Sequence, residues 1–147
     1  MPDPSPRVEA IFLYPRPRAE GVPVPKAQAV AGKGLEGDHD RSPWRQVTVL
    51  AREAWQAAGE EMGTELPPQA RRANVVIAGL NLENSRGRRL RLGAVLLEVG
   101  GETKPCERMD EAHDGLRAAL TPSWRAGVFG RVVEEGRLAV GDEVGWE

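Results

Sequence analysis

Cys106 is the one cysteine among 147 residues, and its neighbours suit a reactive thiol. It lies in Lys104-Pro105-Cys106-Glu107-Arg108, where the proline favours extended backbone and extended backbone puts residues two apart on one face. Lys104, Cys106 and Arg108 would then point the same way, with the sulfur between two cations. A free thiol has a pKa of about 8.5, and adjacent positive charge favours the thiolate. A thiolate is both a nucleophile and a soft metal ligand. The same residue packed as a small hydrophobe, the usual state of free cysteine, would be inert. The spacing alone leaves both readings open.

Three other segments carry charge or glycine in patterns that could bind. Gly32-Lys33-Gly34-Leu35-Glu36-Gly37-Asp38-His39 permits a tight loop whose amides can approach an anion. It is not a Walker loop, because no Ser or Thr follows Gly-Lys, and a plain turn is the competing reading. Asp38, His39 and Asp40 are adjacent, so they alternate in direction and do not readily converge on one ion. Arg71-Arg72-Ala73-Asn74 leads into an apolar run; paired guanidiniums there can hold a phosphate bidentately, or stand as a solvated charge pair. Arg86, Arg88, Arg89 and Arg91 form the densest basic run, but without interleaved aromatics they read as solvated surface rather than a nucleic-acid face. Gly127 and Gly130, around Phe129, mark a bulge or a close approach by backbone or ligand. His39 or His113 could serve a cysteine hydrolase as base, but no group that would orient either is identifiable.

Short elements must position these groups. The 17 glycines and 12 prolines are spread through the chain and punctuate it into brief segments. Apolar and β-branched content predicts strands over residues 8–14, 22–30, 46–50 and 74–77. Pro23 and Pro25 allow 22–30 only as an edge or bulged strand. Residues 90–92 and 95–99 form one expected hairpin, and 128–133 and 138–140 a second around Glu135-Gly136, with 143–146 following. Helical spacing of Ala54, Trp55, Ala58 and Met62 predicts a helix over 52–62 that Gly63 stops. Ala112, Leu116, Ala119 and Leu120 predict a second over 110–120. The expected fold is mostly β, a closed or partly open β-barrel of short strands with two or three short helices. Residues 1–7 read as a mobile tail and 8–147 as a single domain.

Composition bounds the function. A hydrophobic fraction of 40% with 29% charged residues suits a globular chain. A net charge of −2 gives no field favouring nucleic acid. No apolar run approaches the ~18 residues of a membrane span and no secretory signal opens the sequence, so a soluble cytoplasmic protein is expected. A single cysteine excludes an internal disulfide and a multi-thiolate zinc or iron–sulfur site within one chain.

Taken in order, these segments resemble the MOSC family, named for the C-terminal domain of molybdenum cofactor sulfurases. Gly34-Leu35-Glu36-Gly37-Asp38-His39 is similar to its Gly-Asp-x-His loop, and Arg45-Gln46-Val47-Thr48-Val49-Leu50 to the strand that follows. Arg71-Arg72-Ala73-Asn74-Val75 resembles its Arg-Arg-Asn segment, with Ala73 inserted, so either arginine can take the family arginine's place. Lys104-Pro105-Cys106 resembles its Pro-Cys motif, and Gly127-Val128-Phe129-Gly130-Arg131 its late strand. The resemblance implies a β-barrel that binds molybdenum cofactor (molybdopterin), with Cys106 as catalytic residue and metal ligand. It implies a cofactor-binding set drawn from Lys104, Arg71, Arg72, Asn74, Gly37, Asp38, His39, Arg45 and Arg108. Some relatives of this kind reduce N-hydroxylated small molecules. No flavin or nicotinamide motif is present, so electrons would come from an external reductase. The alternatives are a persulfide carrier charged on Cys106 by a separate cysteine desulfurase, and a non-catalytic binding module. None of these readings involves nucleic acid or a membrane.

Overall fold

The structure is a computed structural model that describes residues 5–39, 42–105 and 107–147, without side chains at 107 and 108. In chain order its elements are β1 (Arg7–Leu13), β2 (Val22–Val24), β3 (Lys26–Val30), β4 (Gly34–Leu35), β5 (Val47–Ala51), α1 (Arg52–Met62), β6 (Val75–Ala78), β7 (Arg89–Leu92) and β8 (Val95–Glu102). There follow α2 (Glu107–Ala112), α3 (Leu116–Leu120), β9 (Val128–Glu134), β10 (Gly136–Ala139) and β11 (Val144–Trp146), with single 3-10 turns at Pro68–Arg71 and Pro122–Trp124. The protein is mostly β, as its punctuation predicts.

Eight strands form one sheet in the order β11-β7-β8-β9-β5-β6-β1-β2, and β10, β3 and β4 form a second with β3 in the middle. Among the described pairs only β5 and β6 are parallel, and α1 lies in the connection between them. β5 is buried along its whole length because both of its faces are covered. Val47, Val49 and Ala51 join the main core with Ile11, Val75, Ile77, Leu97 and Val128. Leu50 points to the other side, where Trp55 and Ala58 of α1 and Leu116 and Leu120 of α3 cover it. Full burial of a side chain such as Leu50 stabilises by about 1.5–3 kcal/mol, so β5 is the strand around which the two layers assemble. α1 has the predicted bounds and ends at Gly63 in left-handed backbone.

The structure corrects several expectations. Residues 22–30 are not one strand: β2 and β3 belong to different sheets and part at Pro25. The second hairpin does not form, because β9 lies between β8 and β5 while β10 crosses to pair with β3. The helix expected over 110–120 is two, α2 and α3, broken before Gly115 with φ +90, a backbone that residues with a Cβ avoid. The Asp110 carboxylate accepts from the Arg117 amide across this break at 3.1 Å, supplying a partner to the first turn of α3. β1 begins at Arg7, within the span read as a tail. Among the described residues, pairing does not close the eight-stranded sheet into a barrel. Its β1 and β11 regions meet at one bridge, Arg7 to Glu143, supported by Val8 N–H donating to the Asp142 carbonyl at 2.9 Å and Val144 N–H to that of Pro6 at 3.0 Å.

Candidate functional site

Asn74 stands one residue before β6, and its fully buried side chain bridges β1 and β5. Its Oδ1 accepts from Thr48 N–H at 3.1 Å and Thr48 Oγ1–H at 3.3 Å, and its Nδ2 donates to the Phe12 carbonyl at 3.2 Å. Its backbone amide donates to Thr48 Oγ1 at 3.0 Å. The predicted ligand contact therefore acts in this structure as a clip that fixes Thr48. The two arginines before it diverge. Arg71 is buried at 8% exposure, with Nε donating to the Ala126 carbonyl at 2.9 Å. Arg72 sits in left-handed backbone at φ +63 and lays its guanidinium 4.5 Å over the Tyr14 ring. Neither stands as a solvated charge pair.

Tyr14, just past the end of β1, gathers the rest. Its amide donates to Asp38 Oδ1 at 2.8 Å, and its carbonyl accepts from the His39 amide at 2.7 Å. His39 Nδ1 lies 2.8 Å from the same carbonyl. A carbonyl only accepts, so Nδ1 must carry a proton, and neutral His39 keeps its lone pair on Nε2. Asp38 and His39 are thus fastened to β1 rather than turned on a common ion. Among the described residues no three His, Cys, Asp or Glu side chains gather as a metal site.

These segments meet around a cleft of about 460 Å³ lined by Arg18, His39, Arg45, Thr48, Arg71 and Arg72, together with Met109, Glu111 and Ala112 of α2. Among the described residues, four guanidiniums against the one carboxylate of Glu111 line it, a balance that attracts anions. Arg45 is exposed and stacks 5.1 Å over the Phe129 ring. Of the predicted set, the structure brings His39, Arg45, Arg71 and Arg72 to the cleft itself. Asp38 and Asn74 support it from behind. Gly37 and Lys104 are exposed and outside its lining. Cys106 and the side chain of Arg108 lie outside the described residues. The backbone is helical from Glu107, where α2 begins, so the extended run expected over Lys104–Arg108 does not hold along its whole length. α2 follows position 106 directly in the chain, and its Met109 and Glu111 line the cleft.

Sequence reasoning missed Arg18, Thr48, Met109 and Glu111. Arg18 has a local signal, the alternation Pro15-Arg16-Pro17-Arg18, which a stiff turn explains. Thr48 has none, since it reads as one more β-branched strand residue. Gly127 and Gly130 serve backbone rather than ligand: a Cβ at Gly127 would run into the Val49 carbonyl, and one at Gly130 would lie 2.6 Å from that of Glu98.

A protein-family model described as the MOSC domain matches residues 36–145. A comparison with curated proteins finds no match. Among solved structures, the YuaD protein of Bacillus subtilis superposes with a TM-score of 0.81 at 19% identity, covering 96% of this chain and 94% of that one. YiiM from Geobacillus stearothermophilus gives 0.76 at 19% identity, over 97% and 75% of the two chains. YiiM from Escherichia coli gives 0.73 at 18%, over 96% and 69%. At these identities the structural matches speak for the fold.

Proposed function

The chain belongs to the MOSC domain family, and from that premise we propose that its arginine-lined cleft receives molybdenum cofactor, with Cys106 as the sulfur ligand. One observation carries the reading: Arg18, the His39 and Arg45 of the β4–β5 connection, and the Arg71-Arg72 pair arrive from three segments at one cavity, which Met109 and Glu111 of the helix that follows Cys106 in the chain also line. The residues fit the group. A phosphorylated pterin needs forked donors for its phosphate and polar partners for its ring edge. Arg45 and Arg72 offer guanidinium N–H groups, and His39 offers Nε2. A volume of about 460 Å³ falls within the roughly 300–1,000 Å³ of small-molecule sites. A thiolate at 106 matches the softness of molybdenum.

When bound, the cofactor would supply two-electron redox chemistry. The reaction we propose is reduction of an N-hydroxylated small molecule: two electrons from an external reductase and two protons convert N–OH to N–H and release water. In that reaction Arg45, Arg71 and Arg72 hold the anionic part, with Thr48 and Glu111 beside them in the lining of the cleft. A reduced thiol and a reductase partner both suit the cytoplasm. Among the described residues no helix is long and apolar enough to cross a membrane.

The test is expression in a host that makes the cofactor, followed by metal analysis and pterin fluorescence. The expected result is molybdenum near one equivalent in the wild type, lost in Cys106→Ser and reduced in Arg45→Gln. Full molybdenum retention by Cys106→Ser overturns the ligand assignment. Cyanide-releasable sulfur on Cys106 without molybdenum would instead identify a persulfide carrier.

A further inference from the structure

The arginine-lined cleft opens at the amino ends of the parallel strands: Thr48 lies near the start of β5, and Arg71 and Arg72 precede β6. A second cavity, of about 420 Å³, opens at their carboxyl ends, where Ala51 closes β5 and Gly79 follows β6. α1 makes the crossover between these strands, and the crevice beyond the carboxyl ends of parallel strands is where such units commonly take ligands. The floor is apolar. Ala54 and Ala57, neighbours on one face of α1, line it with Ala51 and Leu80, and all but Ala51 are half-buried. The volume falls within the roughly 300–1,000 Å³ of small-molecule sites.

The rim carries the charge. Glu53 and Glu83 are both exposed and both line the cavity. Glu53 Oε2 accepts from the Gly79 amide at 2.9 Å, which ties that carboxylate to the end of β6 and leaves lone pairs on Oε1. The Glu83 amide donates to Asn81 Oδ1 at 2.9 Å, a local turn that sets the course of the loop. Among the described residues no cation pairs with the Glu83 carboxylate. Arg125 is the cation among the described lining residues, and it is engaged: its Nη1 donates to Glu61 Oε2 at 2.7 Å and to the Ala119 carbonyl at 3.0 Å. The balance at the rim is therefore negative, above an apolar floor.

We propose that this cavity is a second small-molecule site, and that it takes a primary amine on an apolar body. The ammonium pairs with the Glu53 and Glu83 carboxylates, and the apolar part lies on the alanines of α1. The proposal stands apart from the reading of the arginine cleft, since the two cavities share no lining residue and favour opposite charge.

The test uses the full chain with 2-phenylethylamine and, as an anion of similar shape, 3-phenylpropionate, at neutral pH and constant ionic strength. Protein-detected NMR is expected to show the amine shifting the amides of Gly79, Leu80 and Asn81, with the carboxylate binding about tenfold more weakly. Glu83→Gln, a change at an exposed side chain, should weaken the amine about threefold. Ala57→Leu should fill the cavity and abolish the shifts, with its Tm reporting that the variant is folded. Where Ala57→Leu unfolds the chain, Glu83→Gln still decides. Inorganic phosphate, which probes the arginine cleft, should leave amine binding unchanged. Competition by phosphate, equal affinity for amine and carboxylate, wild-type amine affinity in Glu83→Gln, or no shift at those amides overturns the proposal. Shifts at the same amides that grow with protein concentration, without amine, assign the groove to a second copy of the chain and also overturn it.

Discussion

Thr48 and Asn74 exchange hydrogen bonds in both directions: Asn74 Oδ1 accepts from the Thr48 amide and hydroxyl, and Thr48 Oγ1 accepts from the Asn74 amide. One residue is in β5 and the other stands just before β6, so the pair aligns the parallel strands while Thr48 lines the cleft.

Asn74→Ala should therefore act on stability. It leaves the buried Thr48 N–H and the Phe12 carbonyl without their side-chain partner, at a cost of about 2–4 kcal/mol. Urea unfolding measures this as a lower midpoint with an unchanged slope.

The arginines of the cleft should separate by their surroundings. Arg45 is exposed and its described contact is the Phe129 ring, so Arg45→Gln should shift stability by only about 0.5–1 kcal/mol while cofactor content falls. Arg71 is buried on the Ala126 carbonyl, so Arg71→Gln should cost about 1–3 kcal/mol. Thermal melts beside metal analysis separate the two effects.

Glu61 and Arg125 meet at 2.7 Å, and the hydrogen bond from Arg125 holds the Glu61 carboxyl below its ordinary 4.5. A carboxylate whose pKa is lowered in the folded state contributes stability above its unfolded pKa and loses it as pH falls through the folded one. The Tm gap between wild type and Glu61→Gln should be small and present at pH 7, and absent at about pH 2. A gap that widens in acid contradicts the assignment.

Thr103 is 3% exposed, and its Oγ1 has no hydrogen-bond partner among the described residues. Thr103→Val removes a buried unpaired hydroxyl at nearly constant volume, so stability should rise by about 1 kcal/mol. Chemical denaturation of the variant checks this, and a large destabilisation would reveal a partner for the hydroxyl.

Legibility in the sequence followed the range of the interactions. α1 could be read residue by residue because its apolar stripe and its glycine stop are local. β5 could be read as a strand from its β-branched run Val47-Thr48-Val49-Leu50, while its burial on both faces depends on partners distant in sequence. Where β10 would pair could not be read: a Glu-Gly turn looks the same whether the next strand folds back or crosses to another sheet, and burial against β3 decides it. The break between α2 and α3 was written at Gly115 but masked by apolar residues that keep helical spacing across it. His39, Arg45, Arg71 and Arg72, which meet at the cleft, each stand in a segment that the sequence singles out. Arg18 was not singled out, because it reaches the cleft only through the path of the loop after β1, which the Arg72 to Ala19 bond helps to hold.

The position of β5 also governs how the protein reaches its native state. Val49 pairs with Val75 on one side and Val128 on the other, the latter about eighty residues away in sequence, the kind of distant pairing that slows folding. As the chain leaves the ribosome, β5 and β6 emerge long before β9, and an apolar strand edge waits uncovered. Nascent chains that end before residue 128 should therefore engage chaperones that bind apolar segments, and release from them should follow synthesis of β9.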